Sequence, residues 1–115
     1  MKISYEGIGQ WAATFACSEV ACGQVVKISD NGTVSACSEG DAFGGVVLSV
    51  GRDEAACAVA LGGMQTVSYS GDDDPTVGWC GLSADGSGGV AADEDGRTYL
   101  VVAVNTTEST VTFVL

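Results

Sequence analysis

The 115-residue sequence contains no histidine, a single proline and only four basic residues. Histidine is the most common general base and metal ligand, so its absence excludes a Ser-His-Asp or Cys-His catalytic site. The four basic residues stand against 15 acidic ones, which gives a net charge of −11. Phosphate contacts need clustered Lys and Arg, so we expect no nucleic-acid partner and no anionic membrane partner.

Long apolar runs are also missing. Charged or glycine-rich turns interrupt every apolar stretch, so no segment is expected to cross a membrane. The N-terminal stretch MKISYEGIGQW has no apolar core of a signal peptide. We therefore expect synthesis and retention in a reducing cytoplasm.

The cysteines are odd in number and widely spaced in mostly apolar surroundings. This pattern favours free thiols over a disulfide framework or a zinc site, and we expect no cofactor. The five are Cys17, Cys22, Cys37, Cys57 and Cys80.

Short alternating apolar stretches separated by Gly, Asn and Asp are abundant. They predict strands near 23–28, 33–37, 43–50, 55–61, 64–70, 76–82, 88–91, 97–104 and 109–114. The predicted class is all-β: a small antiparallel β-barrel or sandwich built from hairpins, with a less regular N-terminal arm.

Two turns are informative. Asn31-Gly32 predicts a tight two-residue hairpin in which both central residues need positive φ. Segment 54–61, EAACAVAL, is followed by Gly62-Gly63 and a second alternating stretch. We interpret it as a hairpin with that stretch, with a short helix as the alternative because alanine favours helices.

The predicted organisation is an arm over residues 1–16 and a single β domain over 17–115. Within the domain, residues 23–50 and 78–104 resemble each other. Both begin with Gly, reach an Asp-containing turn and end in a valine-rich strand, and Val34 and Val90 each precede an aromatic residue by nine positions. Two packed copies would close a small β core, although unrelated hairpins share such features.

Two acidic stretches are candidate calcium ligands, because hard cations prefer several carboxylate oxygens. They are GDDDPTVG (71–78) and ADEDG (92–96), and neither has the EF-hand spacing. The alternative is a pair of solvated loops, so no metal is assigned. The weak candidates are Asp72, Asp73, Asp74, Asp93 and Asp95.

The predicted arm carries large apolar side chains at Tyr5, Ile8, Trp11 and Phe15. Such residues are good interface anchors, so the arm is a candidate partner-binding segment. The alternative is that it covers one end of the domain's own core.

Three segments together resemble the small capsid decoration (cement, or head-stabilising) proteins of tailed bacteriophages and prophages. They are GQVVKISDNGTVSACSEGDAFGGVVLSV, AVALGGMQTVSYSG and PTVGWCGLSADGSGGVAADEDGRTYLVVAVN. The shared layout is a Gly-led strand, a turn with Asp or Gly, a Val strand and a return of the type GD…GVV. It spans residues 22–115, but RTYLVVAV lacks the glycines before its valine run.

This resemblance implies a non-enzymatic virion protein on the outer capsid surface, with the major capsid protein lattice as its partner. It also implies a homo-oligomer, a trimer at symmetry points of the shell, with the N-terminal arm as a candidate for docking. Two alternatives remain open from the residues. One is a small β-barrel that binds a ligand or calcium in its acidic loops, and the other is an enzyme with a carboxylate pair.

Overall fold

The computed structural model describes residues 11–115, and within this range the chain forms ten β-strands and no helix. The strands are β1 (Trp11–Ala16), β2 (Val25–Asp30), β3 (Thr33–Ala36), β4 (Gly45–Val50), β5 (Ala56–Gly62), β6 (Met64–Ser68), β7 (Gly78–Ala84), β8 (Val90–Ala92), β9 (Arg97–Asn105) and β10 (Thr110–Val114). The predicted all-β class is therefore confirmed.

The strands form two sheets of five, one from each half of the chain. The first is a closed barrel in the order β1-β3-β2-β4-β5, and the second has the order β6-β10-β9-β7-β8. In the barrel, β1 pairs with β5 and closes on β3 through a parallel contact at Ala16 and Thr33. In the second sheet, β6 pairs with β10, and a single parallel bridge joins Tyr69 to Val90 of β8. The connectivity of the first half thus recurs in the second.

The segments that resemble each other in sequence contain corresponding strands. Residues 23–50 carry β2, β3 and β4, and residues 78–104 carry β7, β8 and β9. In each trio the first strand lies between the other two and pairs antiparallel with both. Origin by duplication stays a prediction.

The prediction of a less regular arm through residue 16 is wrong for residues 11–16, because β1 is a wall of the barrel. Its register runs from Trp11 opposite Gly62 to Ala16 opposite Ala56. The sequence WAATFA has small residues at both parities, so it lacks the alternation that marks a half-buried strand. Residues 1–10 lie outside the described part of the chain.

The predicted hairpin between residues 54 and 70 is also wrong, although both of its strands exist. β5 pairs with β1 and β4 in the barrel, whereas β6 pairs with β10 in the second sheet. Gly63, with φ of 88°, is the connection between the sheets. The short-helix alternative is wrong as well, because pairing on both edges overrides the helix propensity of alanine.

The Asn31-Gly32 turn joins β2 and β3 as predicted, but its geometry differs. Only Gly32 has positive φ, 61°. The register shifts between Ile28 and Asp30, so a bulge accommodates the twist that two positive-φ residues would otherwise supply.

Two hydrophobic cores share one wall, formed by β2 and β4. Val26 and Val47 point into the barrel, whereas their neighbours Val25 and Val46 point into the core of the second sheet. Both faces of this wall are buried, which explains its unbroken Val-Val pairs.

The second core is larger and aromatic. Phe43, from the loop before β4, stacks on Tyr99 with ring centroids 5.1 Å apart, and Phe113 meets both rings edge-on. Backbone hydrogen bonds tie the same regions together: the Val25 N–H donates to the Gly88 carbonyl, and the Ala84 N–H donates to the Asp41 carbonyl, both at 2.9 Å. The two halves therefore pack as one unit.

Candidate interaction surface

The outer face of the second sheet carries a row of four apolar side chains, of which three are exposed and one, Met64, is partly buried. Trp79 of β7 lies opposite Leu100 of β9, Leu100 opposite Val114 of β10, and Val114 opposite Met64 of β6. Trp79 is 73% exposed, and Val77 just before it is 68% exposed. Side chains directly opposite on antiparallel strands are neighbours, so these four form one continuous row. We call Trp79, Leu100, Val114 and Met64 the apolar row.

The row has two properties of an interface centre. The five strands of the second sheet contain one charged residue, Arg97. Arg97 is exposed, and its guanidinium lies 5.1 Å from the centre of the Tyr99 ring. Depletion of charge and enrichment in aromatics distinguish the centre of an interface from ordinary surface.

An acidic groove of about 310 Å³ lies on one side of Trp79. Its carboxylates come from two loops, Asp73 and Asp74 from the first and Asp93 and Glu94 from the second. An apolar groove of about 220 Å³ lies on the other side, where Trp79 meets residues of β9 and β10. Its other lining residues are Arg97, Thr98, Tyr99, Leu100, Val114 and Leu115.

Gly81 explains why the second acidic loop lies against β7. A methyl group at Gly81 would collide with the Asp93 carbonyl oxygen. The Asp93 N–H donates to the Gly81 carbonyl at 2.9 Å, so the loop closes directly over the glycine. Strand glycines commonly mark such close backbone approaches.

The carboxylates of both loops are held by local hydrogen bonds. The Tyr69 hydroxyl donates to Asp74 at 3.1 Å, and the Asp95 N–H donates to Asp93 at 2.9 Å. A hydrogen bond from the Ser83 side chain, with help from the Asp95 N–H, holds the pKa of Asp93 below its usual value. Asp93 therefore keeps its negative charge to a lower pH than an isolated aspartate does.

The structure brings three of the five calcium candidates together. Asp73, Asp74 and Asp93 border the acidic groove, whereas Asp72 and Asp95 are exposed and do not line it. Between residues 11 and 115, no group of three or more Cys, Asp or Glu side chains is arranged to hold a metal ion.

The predicted anchors of the arm have different positions. Trp11 is 60% exposed and covers Gly62, where any side chain would collide with the indole. Phe15 is half-buried against the barrel core, so it covers the protein's own interior. Tyr5 and Ile8 lie outside the described residues.

The sequence patterns predict residues 76–82 and 97–104 only as strands and do not reveal the apolar row. A signal was present. Trp79 sits among GWCGLSA in a strand where Leu82 and Ala84 are buried, so the opposite parity places Trp79 outward. Its partners on β9 and β10 depend on strand register, which the sequence does not specify.

The Lys27–Asp41 ion pair lies in the first half of the chain, and one of the five free thiols, Cys80, lines the acidic groove. The Lys27 ammonium donates to Asp41 at 2.7 Å, and this hydrogen bond raises the pKa of Lys27 and lowers that of Asp41. Burial raises the pKa of Cys57 to about 11, and the adjacent Cys17 adds to the rise. All five cysteines are free, and Cys22 is the exposed one.

No helix among residues 11–115 has the length and hydropathy needed to span a bilayer. No known protein-family model matches this chain, and no curated protein sequence matches it significantly.

Proposed function

We propose that this chain is a non-enzymatic structural protein that binds the outer surface of a tailed-phage or prophage capsid and stabilises the shell. The observation that carries the proposal is the apolar row, centred on Trp79 at 73% exposure. A charge-depleted, aromatic-centred sheet face is suited to burial against another protein.

Two further features support this role. The first is the sequence resemblance to capsid decoration proteins over residues 22–115. The second is the shared wall of β2 and β4, which joins the halves into one body and leaves little conformational entropy to lose on docking. In this proposal the protein is made in the bacterial cytoplasm, assembles as a homotrimer and adds buried contact area to the major capsid protein lattice.

The test uses capsids purified, without this protein, from the phage or prophage that encodes it. Purified chain is added, and the copies bound per capsid are counted by cryo-electron microscopy, together with the melting temperature of the shell. Ordered density on the outside and a higher melting temperature are expected. Capsids that bind no chain at saturating concentration would refute the proposal.

Light scattering of the free chain with and without calcium addresses the alternative of a ligand- or calcium-binding module. A trimer in both conditions agrees with capsid decoration. A monomer whose melting temperature rises with calcium would favour the module, because only a bound ligand stabilises by mass action.

A further inference from the structure

We propose that the outer face of the second sheet docks a protein surface that is apolar at its centre and rimmed with Lys and Arg, and that the occupant is a different protein rather than a second copy of this chain. The proposal rests on the function proposed above and specifies which face of the decoration protein meets the shell and what that shell surface must offer.

The centre of the contact is the apolar row. Trp79, Leu100 and Val114 are the most exposed of its side chains, at 73%, 36% and 36%. Exposed Trp is the side chain whose truncation most often costs a large share of binding energy. The row therefore requires an apolar counterpart, and Trp79 is the expected anchor.

The rim of the contact is acidic where the row ends at Trp79. Asp73, Asp74, Asp93 and Glu94 line the groove on that side of the indole. A Lys or Arg entering the groove would meet carboxylates, which attract a cation, and would lie beside the Trp79 indole. An acidic or phosphate-bearing surface would be repelled by the same groove.

Charge also argues against a second copy on this face. In a two-fold contact the same patch meets itself, so two acidic grooves would lie in one interface. Arg97 is the one charged residue in the strands of this sheet, and a single guanidinium cannot offset four carboxylates. Each copy carries a net charge of −11, which adds long-range repulsion. A trimer must therefore form through other surfaces.

The first test replaces the anchor and uses an exposed apolar side chain of the barrel, Ile28 of β2 at 52% exposure, as the control. Binding to capsids that lack the protein is measured for the wild type, Trp79→Ala and Ile28→Ala. Trp79→Ala is expected to weaken binding at least about tenfold, the scale of an interface hot spot. Ile28→Ala lies on the barrel and is expected to bind within about twofold of the wild type. Circular dichroism confirms that both variants fold.

The second test removes rim charges. Asp73→Asn with Glu94→Gln is compared with Glu19→Gln and Glu39→Gln, which remove the same charge from the first half. The rim pair is expected to weaken binding about threefold or more in low salt, and the effect should fade near 0.5 M salt as exposed charges are screened. The control pair should change binding much less.

The outcomes are distinguishable. If the wild type binds no capsids, the proposed function fails and this proposal fails with it. If the wild type binds but Trp79→Ala binds equally well, the decoration role stands and the docking face is wrong. If the rim variant binds more tightly, the partner is not basic, which also overturns the proposal. The same holds if light scattering shows self-association of the wild type that Trp79→Ala abolishes, because a second copy then occupies the face.

Discussion

The two halves of this protein share one strand connectivity but fill it differently. The barrel closes around small side chains, chiefly valines with Cys17 and Cys57. The second sheet closes around Tyr69, Tyr99 and Phe113, and it also takes in Val25, Phe43 and Val46 from the first half. The same pattern of pairing can therefore enclose its own core or depend on a neighbour to complete it, according to the side chains it carries.

The surfaces of the halves differ as well. The barrel strands carry Lys27 and Asp30, whereas the second sheet carries only Arg97 and presents the apolar row outward. The half whose core includes residues from the other half is thus also the half with the proposed contact face. The dependence of the second sheet on core residues from the first half can be tested separately from the role of its outer face in binding.

The largest expected effect comes from separating the halves. Fragment 63–115 should be unfolded without denaturant because three core side chains are missing, whereas fragment 1–62 should retain strand structure. Circular dichroism and amide chemical-shift dispersion measure this, and mixing the fragments should restore the second-sheet signals. Native dispersion from fragment 63–115 alone would contradict the dependence.

The next largest effect is expected from Phe43, whose ring comes from the first half of the chain and packs in the core of the second sheet. Phe43→Ala should lower the free energy of unfolding by about 3–5 kcal/mol, because it leaves a cavity beside Tyr99 and Phe113. Val47→Ala, inside the barrel, should cost about 2 kcal/mol because it removes two methyl groups. Urea denaturation gives both values. If Phe43→Ala lowered the free energy of unfolding by less than Val47→Ala, Phe43 would not be the more important of the two core residues for stability.

Two glycines should respond differently to the same added methyl group. At Gly45 it would meet the Ala60 carbonyl and lie 2.6 Å from a Val59 methyl inside the barrel, so Gly45→Ala should cost about 1–3 kcal/mol. At Gly81 it would displace the 93–96 loop, so Gly81→Ala should mainly change amide shifts around the acidic groove. Gly44→Ala is the control, since its nearest contact would be an ordinary 3.6 Å. Equal losses at Gly44 and Gly45 would contradict the packing argument.

The smallest effect concerns two carboxyls with lowered pKa values. Asp41 is held mainly by Lys27, and Asp93 mainly by the Ser83 side chain. Each favours the folded state above its ordinary pKa, and the contribution is lost as pH falls through the lowered folded value. Lys27→Met should raise the pKa of Asp41 and leave that of Asp93 unchanged. Carboxyl NMR titration measures both, and an unmoved Asp41 would contradict the assignment.

Local sequence patterns predicted the turns and the positions of most strands. They did not predict which distant strands pair with each other. Asn31-Gly32 and the alternating stretches marked nine of the ten strands. β1 escaped because its small residues do not alternate, and β5 was paired with the wrong neighbour because Gly62-Gly63 looks the same in a hairpin and in a crossing between sheets. Pairing of distant strands is decided by shared cores, which local patterns do not encode.

The candidate surface shows the same contrast between features visible in local sequence and features that depend on strand pairing. The acidic residues were visible in the sequence, and three of the calcium candidates do meet at one groove. The apolar row was not visible, because Trp79, Leu100 and Val114 become neighbours only after β7, β9 and β10 align. A functional surface assembled across strands is therefore found in the pairing rather than in any one segment.

The β9–β10 hairpin has a consequence for protein engineering. Its two ends differ: Thr110 pairs with Asn105 beside the exposed turn 106–109, whereas Val114 pairs with Leu100 in the apolar row, and Leu115 lines a groove with Trp79. A fusion partner attached after Leu115 would begin beside the face proposed to dock. A peptide inserted between Thr107 and Glu108 would project from the opposite end of the strands. If the chain displays cargo on a shell, that turn is the attachment point to use.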